Sequence, residues 1–266
     1  MRVIQIGVVI IGAVVITALG IDAADSLTGS DGTMLGQLIG SETKVCPEGM
    51  VEVPAALSFT CIDQFEGSAG EGCSITDPSN QLESATNLSE QSCGAVSEEN
   101  RNPWRNITRE QAQVACARAE KRLPSNAEWY QAALGTVDDE NCNIDSNGSE
   151  ETGSHPACVS AAGAQDLIGN VWEWVTDDVI DGQHDGRALP AEGYVGQVNS
   201  NGIATITTGQ PDERFNEDYF WSSPAGVYAV LRGGFYGSGS DAGLYTFHGE
   251  TLPTTAGVAI GFRCVK

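Results

Sequence analysis

Three sets of side chains in this 266-residue sequence could do chemistry. The first is eight cysteines, at positions 46, 61, 73, 93, 116, 142, 158 and 264. No two form a C-x-x-C pair and none clusters with a histidine, which argues against structural zinc. An even number spread through a chain with an export signal reads as disulfides, with connectivity open at this level. The second set is His155, His184 and His248, which lie far apart and give no H-x-x-x-H-x-E iron motif. The third is the pair of carboxylates flanking a tight glycine turn, Asp166-Leu167-Ile168-Gly169-Asn170-Val171-Trp172-Glu173-Trp174. Hard oxygen donors on such a turn suit calcium, while a core turn with Glu173 bonded to backbone uses the same residues. Asn143, Asp145, Asn147 and Gly148 imitate part of a calcium loop, but Ser154 stands where the closing Glu belongs. That stretch reads as a solvated loop.

Binding chemistry concentrates between Leu231 and Cys264. The stretch opens on Arg232-Gly233-Gly234 and closes on Gly261-Phe262-Arg263-Cys264. Val230 and Leu231 precede it, and Val258, Ile260 and Phe262 alternate as in a half-buried strand. Between these ends Phe235, Tyr236, Tyr245, Phe247 and His248 offer aromatic area. Ser238, Asp241, Glu250, Thr251 and Thr255 offer hydrogen bonds. Aromatic anchors among Ser and Gly are how antibody loops combine rigid contact with adaptable polar groups. A glycine-rich surface loop of no special use has the same composition.

The elements that must position these residues are legible in part. Thr108 with Gln111 and Ser125 with Glu128 make two capping boxes. The helices they open carry Ala112, Ala115, Cys116 and Ala119, then Trp129, Ala132 and Ala133. Lys121-Arg122-Leu123-Pro124 is the turn between them. Upstream, Met50, Val51 and Val53 with Phe59 and Ile62 suit a hairpin. Residues 67–103 read as a polar insertion containing Cys73 and Cys93. Residues 178–220 lack strong periodicity and read as a long excursion before Tyr219-Phe220-Trp221-Ser222-Ser223, which packs under the display surface or forms part of it.

Thirty-six acidic residues face thirteen basic ones, a formal charge of −23. A nucleic-acid partner is thereby disfavoured, since phosphate needs cations. Val3 to Ile21 is nineteen residues without a charge after Arg2, near the about 20 that span a bilayer as helix. Residues 1–23 read as a signal-anchor or a cleaved signal peptide, 24–44 as a linker or stalk, and 45–266 as the folded domain. Both readings export the domain: secreted, membrane-anchored through the N-terminal segment, or virion-associated.

The frame Leu231-Arg232-Gly233-Gly234 to Gly261-Phe262-Arg263-Cys264, with Gly169 to Trp174 and Lys121 to Pro124, resembles the formylglycine-generating-enzyme (sulfatase-modifying factor) family. The likeness covers roughly residues 45–266. It implies an α+β, C-type-lectin-like fold, irregular, loop-rich and disulfide-stapled. Local spacing with the family pattern implies the pairs Cys46–Cys61, Cys73–Cys93, Cys142–Cys158 and Cys116–Cys264. Carried over residue by residue, structural calcium would take Asp166, the Gly169 and Val171 carbonyls, and Glu173. The family's enzymes hold copper(I) on two cysteines, and those positions fall here on Ser238 and Gly243, so the resemblance implies no copper.

Within that superfamily, Gly239 to Thr246 and the spacing to Gly261 look most like the variable region of diversity-generating-retroelement target proteins, here about 231–264. Matched to adenine-directed variation, the changeable positions are Phe235, Tyr236, Gly237, Ser238, Asp241, His248, Thr251, Thr255, Gly257 and Ala259. The implied function is a surface-displayed protein with a diversified face for protein or glycan ligands on another cell or virus surface, and no catalytic residue. A formylglycine-generating or related oxidase, or an invariant structural surface protein, is the alternative.

Overall fold

The computed structural model describes residues 45–54, 56 and 58–266; the export segment and stalk expected at 1–23 and 24–44 lie outside them. Strands β1 (Met50–Glu52) and β2 (Cys61–Asp63) form the expected hairpin, with Met50 opposite Asp63 and Cys46 bonded to Cys61. The 67–103 stretch is more ordered than its polar sequence suggests. Strand β3 (Ser68–Ala69) pairs with β4 (Ala95–Val96), and between them runs helix α1 (Gln81–Ser89), capped by Asn80. This helix has no apolar stripe to read, because its buried residues are Ser84 and Asn87. Both are held by hydrogen bonds: the Trp104 indole donates to Ser84 Oγ, and Asn87 bonds both backbone groups of Ile75.

Helices α2 (Arg109–Arg118) and α3 (Asn126–Ala133) start where the capping boxes place them, and in both boxes the two reciprocal hydrogen bonds are made. Each cap contributes about 1 kcal/mol to fixing a helix of only ten or eight residues. They bury Ala112, Ala115 and Cys116, and Trp129, Ala132 and Ala133.

The main sheet contains β5 (Trp172–Ile180), β6 (Gln183–His184), β7 (Arg187–Ala188), β8 (Gly193–Val198), β9 (Ala204–Thr208), β10 (Tyr219–Ser222), β11 (Val227–Arg232), β12 (Phe247–Thr251) and β13 (Ile260–Gly261). Its order is β7-β6-β5-β11-β12-β10-β8-β9, with β13 parallel to the start of β5. The stretch read as an excursion, 178–220, therefore builds half the sheet, a correction to the sequence reading. Its strands are short, and register shifts at Val195, Gln197 and Val198 break the alternation that would announce them. A second correction concerns Val258, which is 58% exposed; the closing strand is only Ile260–Gly261.

Register divides the sheet into two faces. Arg232 lies opposite Glu173 and Phe247, on the side that packs with Phe220, Val179 and α3. Leu231 lies opposite Trp174 and His248, on the side that packs with Trp104, Phe262 and α2. Helix α2 covers that second face near β5, while toward β12, β10 and β8 it continues as half-exposed aromatic rings. Among the described residues, no helix is long and apolar enough to cross a membrane.

The four disulfides are Cys46–Cys61, Cys73–Cys93, Cys116–Cys264 and Cys142–Cys158, the pairing implied by the resemblance. Cys116–Cys264 joins α2 to the end of the chain across 148 residues. In the chain-entropy account such a loop stabilises by about 5 kcal/mol, against about 3 for the 16-residue Cys142–Cys158 loop. Replacing Cys116 and Cys264 together by Ser should lower the denaturation midpoint more than replacing Cys142 and Cys158; the reverse order in chemical denaturation would refute this ranking.

Candidate ligand-binding face

Seven aromatic side chains run in sequence across the open part of the second sheet face. Tyr194 meets Tyr219 edge-on with ring centres 5.0 Å apart, and Tyr219 lies 4.6 Å from Trp221. Trp221 stacks on His248 at 5.3 Å, and Trp172 touches both at 5.9 and 5.5 Å. Phe235 stacks on Trp172 at 6.4 Å and meets Tyr236 at 5.0 Å. The row follows from period-2 placement. Phe220 and Phe247 point into the core, so Tyr219, Trp221 and His248 point the other way. All but Trp172 are half-buried.

The loop that brings Phe235 and Tyr236 to this row is anchored at its base. Gly233 and Gly234 have φ of 87° and 84°, and a Cβ at Gly234 would strike Ala242. Arg232 is fully buried, donating to the Leu244 carbonyl at 2.7 Å and to Asn126, with its guanidinium 4.8 Å over the Trp129 ring. Burial pulls its pKa down to about 10, so it is still charged at neutral pH.

The expected ligand-binding residues separate into groups. Phe235, Tyr236 and His248 belong to the row. Glu250 and Thr251 sit beside His248 on β12, and Thr251 Oγ1 lies 3.2 Å from His248 Nδ1. Gly237 and Ser238 form the turn after Tyr236; Ser238 Oγ accepts from the Phe235 N–H at 3.1 Å, a structural bond. Asp241 is half-buried at the end of the Gly239–Asp241 turn. Thr255, Gly257 and Ala259 lie on the return to β13, where the Ala259 carbonyl accepts from the Trp172 N–H. Tyr245 is elsewhere, packed on Phe215 at 5.4 Å and Tyr130 at 6.1 Å, and Phe247 is fully buried against Phe220, so neither lies on the face. Tyr219 and Trp221, from the aromatic group read as lying under the surface or forming part of it, join the face, and Tyr194 and Trp172 join it without having been assigned there. The alternation Tyr219-Phe220-Trp221 was the one signal of the first two.

Residues 61–266 match the Sulfatase-modifying factor enzyme 1-like domain family. The chain belongs to that family. Hercynine oxygenase of Mycolicibacterium thermoresistibile is 24% identical over 178 residues, covering 60% of this chain and 35% of that protein. Serine/threonine-protein kinase Pkn1 of Chlamydia trachomatis is 29% identical over 157 residues, covering 55% and 21%. The chain thus spans about a third or less of the length of these curated relatives. Among solved structures, the Major Tropism Determinant U1 variant is similar at 18% identity and a TM-score of 0.48, covering 84% of this chain and 53% of the other. Treponema denticola variable protein 1 is similar at 17% identity and a TM-score of 0.38, covering 83% and 99%.

The turn that the resemblance assigns to calcium has side chains bonded to other partners. Both oxygens of Glu173 accept from Arg263 Nε, at 2.7 and 2.9 Å, and Oε2 also accepts from the Trp129 indole at 2.6 Å. Asp166 accepts from the Gly153 N–H at 2.7 Å. Of the residues assigned to calcium, Asp166, Gly169, Val171 and Glu173, the last is thus engaged on both oxygens and Asp166 on one, and calcium enters no step below. Burial opposes the charge of Arg263, but Glu173 outweighs it and holds the guanidinium above its ordinary value. Elsewhere among the described residues, Asp177, His184 and Asp185 bring ligand atoms within 4.8 Å of one another. His184 Nε2 is hydrogen-bonded to Asp177 at 2.8 Å, and the other Asp177 oxygen accepts from the Asn126 N–H, so the group reads as a strut between β5 and α3.

Beneath the loop, the Asp138 and Asp218 carboxyls lie close together under Gly243, and Asp218 Oδ1 is buried without a hydrogen-bond partner. Asp218 Oδ2 accepts from the Tyr245 N–H at 2.6 Å. Burial raises Asp138 to about 6 and Asp218 well above its ordinary 3.8. Asp166 is likewise raised by burial to about 6.

Two outcomes follow from this geometry. Glu173→Gln strands the buried Arg263 charge and should destabilise by about 3–5 kcal/mol, while a chelator leaves the wild-type melting temperature unchanged; a chelator-induced drop restored by calcium would overturn the ion-pair assignment. For the raised carboxyls, stability is full below about 3.8 and is lost as pH rises through about 6. Asp218→Asn places a donor toward Asp138 and keeps an acceptor for Tyr245, so its melting temperature should gain on wild type from pH 5 to pH 8. A constant offset across that range would show that the pair is not the titrating group.

Proposed function

We propose that this protein is an exported binding protein, and that the aromatic face with its bordering loops takes a macromolecular ligand. The observation that carries this is the row itself: half-exposed rings that the fold leaves uncovered. Contiguous exposed apolar surface of this kind marks interaction sites. Aromatic residues also dominate binding hot spots. Four disulfides support an oxidising compartment outside the cytosol. We further propose that the positions 231–264 are diversified, on the resemblance of that stretch to retroelement targets.

The same reading assigns no catalysis. Relatives include an oxygenase by name, so the family contains enzymes. In this chain all eight cysteines are in disulfides, which leaves no thiolate to hold copper(I). Ser238 and Gly243, where the resemblance places the copper cysteines, bear no sulfur.

The test is a two-class substitution series in the full chain. Changing Arg232, Gly234 or Phe262, all buried, should unfold the protein or cost more than about 3 kcal/mol. Changing Phe235, Tyr236, Asp241 or His248 to Ala should cost about 1 kcal/mol or less and weaken capture of surface proteins or glycans, one aromatic anchor by about 2 kcal/mol. If the second class unfolds the domain, or leaves every captured ligand bound, the face is not a binding site. Sequencing for a near-copy of the 231–264 coding segment beside a reverse-transcriptase gene checks the diversification.

A further inference from the structure

The row is bordered by the acids Glu192, Asp241 and Glu250. Glu192 is exposed and accepts from the Tyr219 hydroxyl at 3.1 Å. Its charge reaches His248 and Glu250, and that of Asp241 reaches Tyr219. Among the described residues, no ion pair involves Glu192, Asp241 or Glu250. Of the described cations, Arg232 and Arg263 are buried, Arg118 caps carbonyls of α1 and its exit, Arg187 is exposed on β7 at the far end of the sheet, and the others pair with other acids. Burial raises the carboxyl pKa of both Asp241 and Glu250, the mark of negative charge held partly out of water without a counter-ion. On the other side of the loop, a cavity of about 650 Å³ beside Gly239 and Ser240 is walled by further acids, including Asp139, Asp145 and Glu150.

Resting on the proposed binding role, we infer that the ligand of this face is a basic protein segment, whose arginine or lysine side chains lie on the Tyr219–Trp221 rings between Glu192, Asp241 and Glu250. Two features select this chemistry over a neutral glycan. Aromatic rings attract a cation through their quadrupole, and Arg stacks on them with its planar group while still donating to carboxylates. A sugar stacks on the rings too, but it cannot neutralise carboxylates that the protein itself leaves unpaired. The formal charge of −23 acts in the same direction at long range, steering basic partners in and turning anionic glycans and nucleic acids away.

The probe is an arginine–glycine repeat peptide, with a citrulline–glycine peptide of equal length as its uncharged counterpart. Both are titrated onto the full chain at about 0.15 M salt, where diffuse surface attraction is largely screened. The arginine peptide should bind at least about tenfold more tightly than the citrulline peptide. Tyr219→Leu and Trp221→Leu, which keep bulk and net charge, should each weaken it roughly fivefold. Each variant's melting temperature shows that it is folded, and Tyr219→Leu serves if the Trp221 variant is not. Glu192→Gln with Glu250→Gln should weaken it as well, whereas Glu48→Gln with Glu52→Gln, exposed acids of the first hairpin, should leave it unchanged. Equal loss from the two acid pairs, or no loss from the ring variants, would reduce the binding to attraction by a polyanion and overturn the inference. No binding of the arginine peptide would overturn it too. Equal binding of both peptides, lost on Tyr219→Leu, would reject the cation while leaving the face as a binding site.

Discussion

Everything at the display end depends on one buried ion pair, Arg263 with Glu173. Arg263 donates to both Glu173 oxygens, to the Asp63 carbonyl at 3.1 Å and to the Gln165 carbonyl at 2.8 Å. The Trp129 indole completes the Glu173 shell. One guanidinium thus ties the last strand to the first hairpin, to the glycine turn before β5 and, through Glu173, to α3. Asp63 adds a second tie by accepting from the Cys264 N–H at 2.9 Å and pairing with Lys121 at 2.6 Å. A buried pair contributes little net stability over apolar packing of the same shape. Its effect here is positional, since planar and directional bonds to four segments admit one arrangement where packed methyl groups admit several.

The two ends of the loop region are held by different chemistry. Arg263, at the closing end, has a carboxylate. Arg232, at the opening end, has the Asn126 and Leu244 oxygens and the Trp129 and Phe247 rings, with the charge of Asp218 further off. Both are fully buried, so residues 235–259 are suspended between fixed points. Side chains on such a span can change without moving the frame, which is how binding loops work on rigid scaffolds. The face also draws on strands β8 and β10, outside that span. Tyr194, Tyr219 and Trp221 extend the aromatic row beyond the loop residues.

Local signals were the legible part. Each capping box specifies its helix with four residues, and both helices start there. The glycine pair 233–234, the core arginines and the cysteines were legible as a frame, with the disulfide pairing coming from resemblance. What did not show was structure made by non-local pairing. Strands β8 and β9 have registers broken by bulges, so neither carries five clean alternations. Helix α1 buries a serine and an asparagine, which no apolar pattern can mark. At the site, Tyr245 was misplaced because a loop sequence does not say which way a ring turns. The resemblance assigns Glu173 to calcium, while both its oxygens accept from Arg263, ninety residues on, and only the fold brings the two together.

Positions 238 and 243, where the resemblance places copper cysteines, are committed to local packing in this chain. Ser238 is spent on the turn, its oxygen receiving the Phe235 N–H that sets the ring against Trp172. Gly243 sits over the Asp138–Asp218 pair, and a Cβ there would collide with carboxyl oxygens of both. Those carboxyls in turn accept from the Leu244 and Tyr245 N–H groups, so the backbone at 243–245 is held where no side chain fits at 243. Putting thiols back at these two positions would break the turn at one and displace a buried acid pair at the other. The polar groups of this region hold the 243–245 backbone in place beneath the loop.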